Sequence, residues 1–162
     1  MLIKKLNNGA IFVAGYVAGF LVYYACKASA RIVNFRKPSH RISPETSTLL
    51  KTLFAGMTLD NVIVISNAWL PAHIFNRSIE GMTFRNRIYI AHRYKPENHH
   101  NLMLLIHEIV HVRQIRNQGE TVFACKYGVQ FLHNRGYGAG MPLEKEAYEF
   151  VERLRHKRHE LM

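Results

Sequence analysis

The first hydrophobic feature of the chain is a run without charge, residues 10–26 (AIFVAGYVAGFLVYYAC), with Lys4 and Lys5 ahead of it and Lys27 after it. Polar and apolar positions then alternate on shorter scales. Ser43-Pro44-Glu45 supplies an N-cap, a proline at the first helical position and an acidic first turn, predicting a helix to about Ala55, stopped by Gly56. Val62-Ile63-Val64-Ile65 is β-branched throughout and predicts a strand. Residues 66–77 read as loop around Trp69 and Pro71. Segments 82–84 and 87–91, on either side of Arg85-Asn86, predict a hairpin or one bent strand, because Thr83, Tyr89 and the alternating Ile88 and Ile90 favour extended chain. Residues 93–101 are polar and read as loop. The stretch 102–114 is largely apolar and of helical length. Asn117-Gln118-Gly119 turns the chain. Residues 120–133 and the amphipathic 143–157 predict two further helices, joined by the glycine-rich 135–142 (RGYGAGMP). Lys37-Pro38-Ser39 reads as a linker, dividing an N-terminal segment, 1–37, from a domain at 38–162. A small sheet followed by helices makes that domain α+β.

Counted from Leu6 to Ala30, with Lys27 snorkelling, the apolar segment is long enough to cross a bilayer. Gly15 and Gly19, with Ala14 and Ala18 beside them, offer a small-residue face on which two membrane helices approach closely, which allows a homodimer. Tyr23 and Tyr24 suit the interface. Three readings compete: an uncleaved single-span anchor, a signal peptide cleaved after Ala28-Ser29-Ala30, and a buried helix of a soluble fold. Arg31, Arg36, Lys37 and Arg41 outnumber the charges before the segment and favour a cytoplasmic domain, against export. Membrane association through residues 6–30 is the expectation, with the side left open.

At 162 residues and 48% hydrophobic, the chain can bury one substantial core. Its formal net charge of +11 favours anionic partners such as lipid headgroups. No signature of basic residues interleaved with aromatics is present, so no specific nucleic acid is expected. Cys26 and Cys125 form neither a C-x-x-C nor a disulfide framework and read as small hydrophobic thiols.

The chemistry lies in 102–114, which contains His107, Glu108 and His111 in H-E-x-x-H order. Positions i and i+4 lie one turn apart on the same helical face, so both imidazoles can meet one zinc ion. Glu108 then stands beside the metal as a general base for water. Two histidines and a glutamate inside an apolar helix are costly to bury unless paired or bound to metal. A third protein ligand is required. Glu144, Ala147, Tyr148 and Val151 share one face of the last helix, and Glu144 is preferred; Glu146, about 200° away round the helix, is the alternative. A solvated acidic face neutralising Lys145 and Arg153 is the plainer reading. His99 and His100 read as a solvated loop pair.

The string HEIVHVRQ, followed by Pro142-Leu143-Glu144-Lys145-Glu146-Ala147, resembles the metallopeptidase domain found in core proteins of extracellular contractile injection systems, which carry HExxHxxQ and a downstream P-L-E-x-E-A segment. Gly81-Met82-Thr83-Phe84 and Arg87-Ile88-Tyr89-Ile90 resemble the stretch that precedes the motif helix in that family. The likeness spans about residues 60–150. It implies a zincin-like fold of the HExxH-plus-glutamate kind, one Zn2+ per chain held by His107, His111 and Glu144, and Glu108 as the catalytic residue. One departure is Tyr148, where an acidic or amide residue orients the first histidine in related enzymes. Gln114 matches the family glutamine without an assignable role.

The expected activity is therefore metal-assisted hydrolysis of a protein or peptide substrate. Tyr127, His133, Tyr137 and Tyr148 are chemically able to stabilise the oxyanion, with Tyr137 preferred. The strand from Met82 to Ile90 offers a sheet edge on which substrate can pair. Two rivals remain: a catalytically inactive, membrane-tethered zincin-fold binding module, and a binder of anionic surfaces or nucleic acid that uses the net charge.

Overall fold

The computed structural model describes residues 8–74 and 76–160; Lys4, Lys5 and Leu6 of the N-terminal segment lie outside the described residues. The protein is α+β, with one four-stranded sheet and five α-helices among the described residues. By compactness it divides into two units, one of Cys26–Arg113 and one that joins the residues up to Ala25 to those from Gln114 onward. The divisions fall inside the helices Asn8–Val33 and His99–Gln118.

In the unit Cys26–Arg113, strand β1 (Ser39–Arg41) pairs antiparallel with β2 (Ile63–Ile65), β2 pairs parallel with β4 (Arg87–Ile90), and β3 (Gly81–Phe84) pairs antiparallel with β4. The sheet order is β1-β2-β4-β3, so β3 is a terminal strand and β4 an interior one. Val64, Ile65, Phe84, Ile88, Tyr89 and Ile90 are all buried. Lys37-Pro38 leads directly into β1, with the Pro38 carbonyl accepting from the Ser66 N–H. Three polar, exposed residues give β1 no alternating signal to be read.

Segments 82–84 and 87–91 form a hairpin. Its two-residue loop puts Arg85 at φ +59°, a position where glycine is usual. The Asn86 side chain anchors the loop to the Asn61 carbonyl. Between β2 and β3, the loop includes a 3-10 turn, Pro71–Ile74. Helix α2 (Pro44–Leu53) begins as expected: Ser43 caps it by accepting from the Thr46 N–H, and Pro44 starts the first turn. The backbone at that end, then Ser43, holds the Glu45 carboxyl below its usual range. Helix α3 (His99–Gln118) starts earlier than its apolar pattern suggests, because Asn98 accepts from the Asn101 N–H and nucleates a turn through the exposed His99 and His100.

In the other unit, helix α4 (Glu120–His133) follows Gly119, which is at φ +86°. Helix α5 (Pro142–Glu160) begins at a proline. Helix α1 (Asn8–Val33) is long and apolar enough to cross a membrane, and 11% of the apolar window Phe12–Val33 is buried. Between Phe12 and Tyr23, the buried residues of α1 form a narrow stripe at i, i+4 spacing: Gly15, Gly19 and Tyr23. That stripe meets α4. A Cβ on Gly15 would strike the Val129 backbone, and one on Gly19 would strike the Ala124 carbonyl and Gly128. Tyr23 donates to Glu120 at 3.0 Å, and the Tyr24 hydroxyl lies 3.1 Å from that of Thr121. The small-residue face of α1 thus packs on the chain's own α4. Phe12, Val13, Val17, Leu21 and Val22 face outward, each at least half exposed.

Replacing Gly128 by Val should lower stability by about 1–3 kcal/mol, since the new Cβ would meet the Gly15 carbonyl and the Gly19 Cα, and backbone cannot step aside. Gly138→Ala, whose nearest neighbour is the Asn134 amide at 3.6 Å, should be close to neutral. Denaturant unfolding of the two variants in parallel checks the difference.

Candidate metal centre

Residues 105–112 of α3 are all buried, so this part of the helix has no water-facing side. His107 and His111, 8% and 6% exposed, turn their Nε2 atoms toward one point, 3.2 Å apart. Two nitrogens at about 2.0–2.1 Å from a tetrahedral ion lie about 3.3–3.4 Å from each other. The helical i, i+4 relation has therefore placed the pair at the separation a zinc ion asks for.

Glu108 is 3% exposed, and its carboxylate is held from the sheet. Thr83 on β3 donates to its Oε2 at 2.8 Å. Gly81, two residues earlier on the same strand, lies directly against the carboxyl group, and a Cβ there would strike Oε1. Sequence reasoning did not single out these two residues for the site. A threonine and a glycine two apart on one strand share a face, but nothing in the chain says that this face meets Glu108.

Glu144 is 2% exposed and is fixed both through its backbone and through its side chain. Gln130 of α4 accepts from the Leu143 N–H, and Gln114 donates to the Leu143 carbonyl and to Glu146. The Tyr127 hydroxyl donates to Glu144 Oε1 at 2.8 Å, and that of Tyr137 to Oε2 at 3.2 Å. Tyr148 lies 3.1 Å from Tyr137, hydroxyl to hydroxyl, and so acts on Glu144 through it. Gln114 thereby gains a role: it pins the first turn of α5. Each carboxylate oxygen has two lone-pair directions, so one tyrosyl donor per oxygen leaves capacity for a cation.

His107 and His111 of one unit and Glu144 of the other, all buried, are the residues that could hold a metal ion. Two imidazoles and a carboxylate form a donor set suited to zinc. Glu146 is exposed and bonded to Gln114, and Glu149 is exposed and pairs with Lys145. His100 pairs instead with Glu80 at 3.0 Å. Of the four candidate oxyanion donors, Tyr127 and Tyr137 give their hydroxyls to Glu144, and His133 lies exposed at the end of α4.

A family model covers the stretch from the end of α2 to the end of α3. Residues 54–119 match the eCIS core domain. This bears out the resemblance to core proteins of extracellular contractile injection systems. The eCIS core match takes in β2, β3, β4 and all of α3, and so His107, Glu108, His111 and Thr83, but ends before Glu144. No significant match is found among curated proteins or among solved structures.

Because Tyr127 donates to Glu144, Tyr127→Phe should weaken the affinity for any metal ion held by Glu144 roughly 10–100-fold while leaving the fold intact. Competition with a chelator of known affinity measures the loss, and circular dichroism checks the fold.

Proposed function

We propose that the chain is a zinc-dependent, zincin-type peptidase, with His107, His111 and Glu144 as ligands and Glu108 as general base. The observation that carries this reading is the pair of buried histidines whose Nε2 atoms stand 3.2 Å apart, with a buried carboxylate next in sequence to the first. A zinc ion bound there would supply Lewis acidity toward water and a peptide carbonyl. Thr83 occupies one oxygen of Glu108 and sets the carboxyl plane, so the other oxygen is the place to take a proton from water and return it to the leaving amine. An extended peptide would pair along β3, the terminal strand that also carries Thr83, rather than along the interior β4. Helix α1 would keep this activity at a membrane.

One observation favours a second reading, a metal-bearing binding module without turnover: Tyr127 and Tyr137 spend their hydroxyls on Glu144. The two readings part at Glu108, which only the peptidase needs.

Full-length protein should carry about one zinc per chain by mass spectrometry, lost in His107→Ala and Glu144→Ala and kept in Glu146→Ala. Retaining α1 matters, since α4 packs on it. Glu108→Gln should keep its zinc and lose roughly 10²–10⁴-fold in the rate of peptide cleavage. Well-folded protein that takes up no zinc would sink both readings. Zinc-loaded protein with no measurable cleavage, and no difference between wild type and Glu108→Gln, would leave the binding module.

A further inference from the structure

Asn34, immediately after α1, is 5% exposed and grips the backbone of Trp69 from both sides. Its Oδ1 accepts from the Trp69 N–H at 2.7 Å, and its Nδ2 donates to the Trp69 carbonyl at 2.8 Å and to the Ala30 carbonyl at 2.9 Å. One buried amide thus ties the end of the apolar helix to the loop between β2 and β3. The loop is further braced where His73 bonds to the Ile79 carbonyl and Asn76 accepts from Ser78.

The outward side of this assembly has an unusual composition for a loop. Ile74 is 71% exposed, Trp69 37%, and with His73 and Arg77 they line an open hollow. At the helix end, Ile32 and Phe35 are 75% and 84% exposed, among the exposed cations Arg31, Arg36 and Lys37. None of these cations, nor Arg77, has an ion pair among the described residues, and Glu80 nearby in the loop is engaged by His100. Bare apolar side chains, a tryptophan and unpaired cations at the end of an apolar helix suit the headgroup region of a bilayer, where indole sits at the interface and Lys and Arg meet lipid phosphate.

We infer that the Trp69–Ile74 loop and the end of α1 form one interfacial anchor, seated on a membrane surface rich in anionic phospholipid. The inference rests on the membrane reading of α1 and is independent of zinc. It would hold the sheet-bearing unit at the surface by a second, electrostatic contact besides the apolar helix.

Trp69 is the only tryptophan in the chain, so its fluorescence reports on this contact alone. Full-length protein is reconstituted with phosphatidylcholine vesicles with and without phosphatidylglycerol, using lipids brominated at shallow or deep acyl positions. With anionic lipid, Trp69 emission should move to shorter wavelength and be quenched more by shallow than by deep bromines. Arg36→Ala or Arg77→Ala should lower the ratio of lipid-seated to water-exposed Trp69 roughly fivefold each, without changing flotation with vesicles. Protein that floats but shows neither shift nor quenching overturns the anchor and leaves the membrane reading of α1 standing. Protein that does not float overturns both.

Discussion

The arrangement around α3 follows from the cost of burying polar groups in a hydrocarbon interior. Glu108 and Glu144 are 3% and 2% exposed, and an ionised carboxylate out of water costs several kcal/mol unless hydrogen bonds or a cation compensate it. Neither is left alone. Thr83 serves Glu108, and Tyr127 and Tyr137 serve Glu144. These partners come from a strand, a helix and a loop, so satisfying two side chains fixes several elements at once. Gly81 shows the same constraint from the steric side, since the strand must present no side chain where the carboxyl lies.

Much of this was legible in the chain. The H-E-x-x-H spacing identified a helical face, and the i, i+3, i+4, i+7 pattern preferred Glu144 over Glu146, which the structure places in the open against Gln114. The bounds of α4 and the capped start of α2 also follow from local signals, a glycine before one and Ser-Pro-Glu opening the other. What escaped has a tertiary cause or too short a local one. Strand β1 exists because β2 and Pro38 bond it, not because Ser39-His40-Arg41 prefers to be extended. The hairpin lacks a turn signature, since Arg85 sits where glycine belongs. The early start of α3 hangs on one Asn98 side chain. Thr83 and Gly81 reach Glu108 across 25 and 27 positions of sequence, and no local pattern spans that.

The glycine stripe of α1 shows a different limit. Small residues four apart describe a surface that welcomes another backbone, and such a surface is found here. They do not name the backbone. In this chain it is α4, with Gly128 opposite Gly19. Phe12, Val13, Val17, Leu21 and Val22 lie on the outward side of α1, so the seam and an exposed apolar surface share one helix.

The seam also sets an order of events during synthesis. Tyr23 and its partner Glu120 are 97 residues apart, so α1 leaves the ribosome long before α4 exists to receive it. Closing a flexible loop of that length costs about 4 kcal/mol, by the logarithmic dependence of closure entropy on length, and nothing repays this until α4 has formed. Until α4 has been translated, therefore, this apolar helix is an orphan. A bilayer or a chaperone would shelter it in that interval, and α4 then meets a helix that has been waiting.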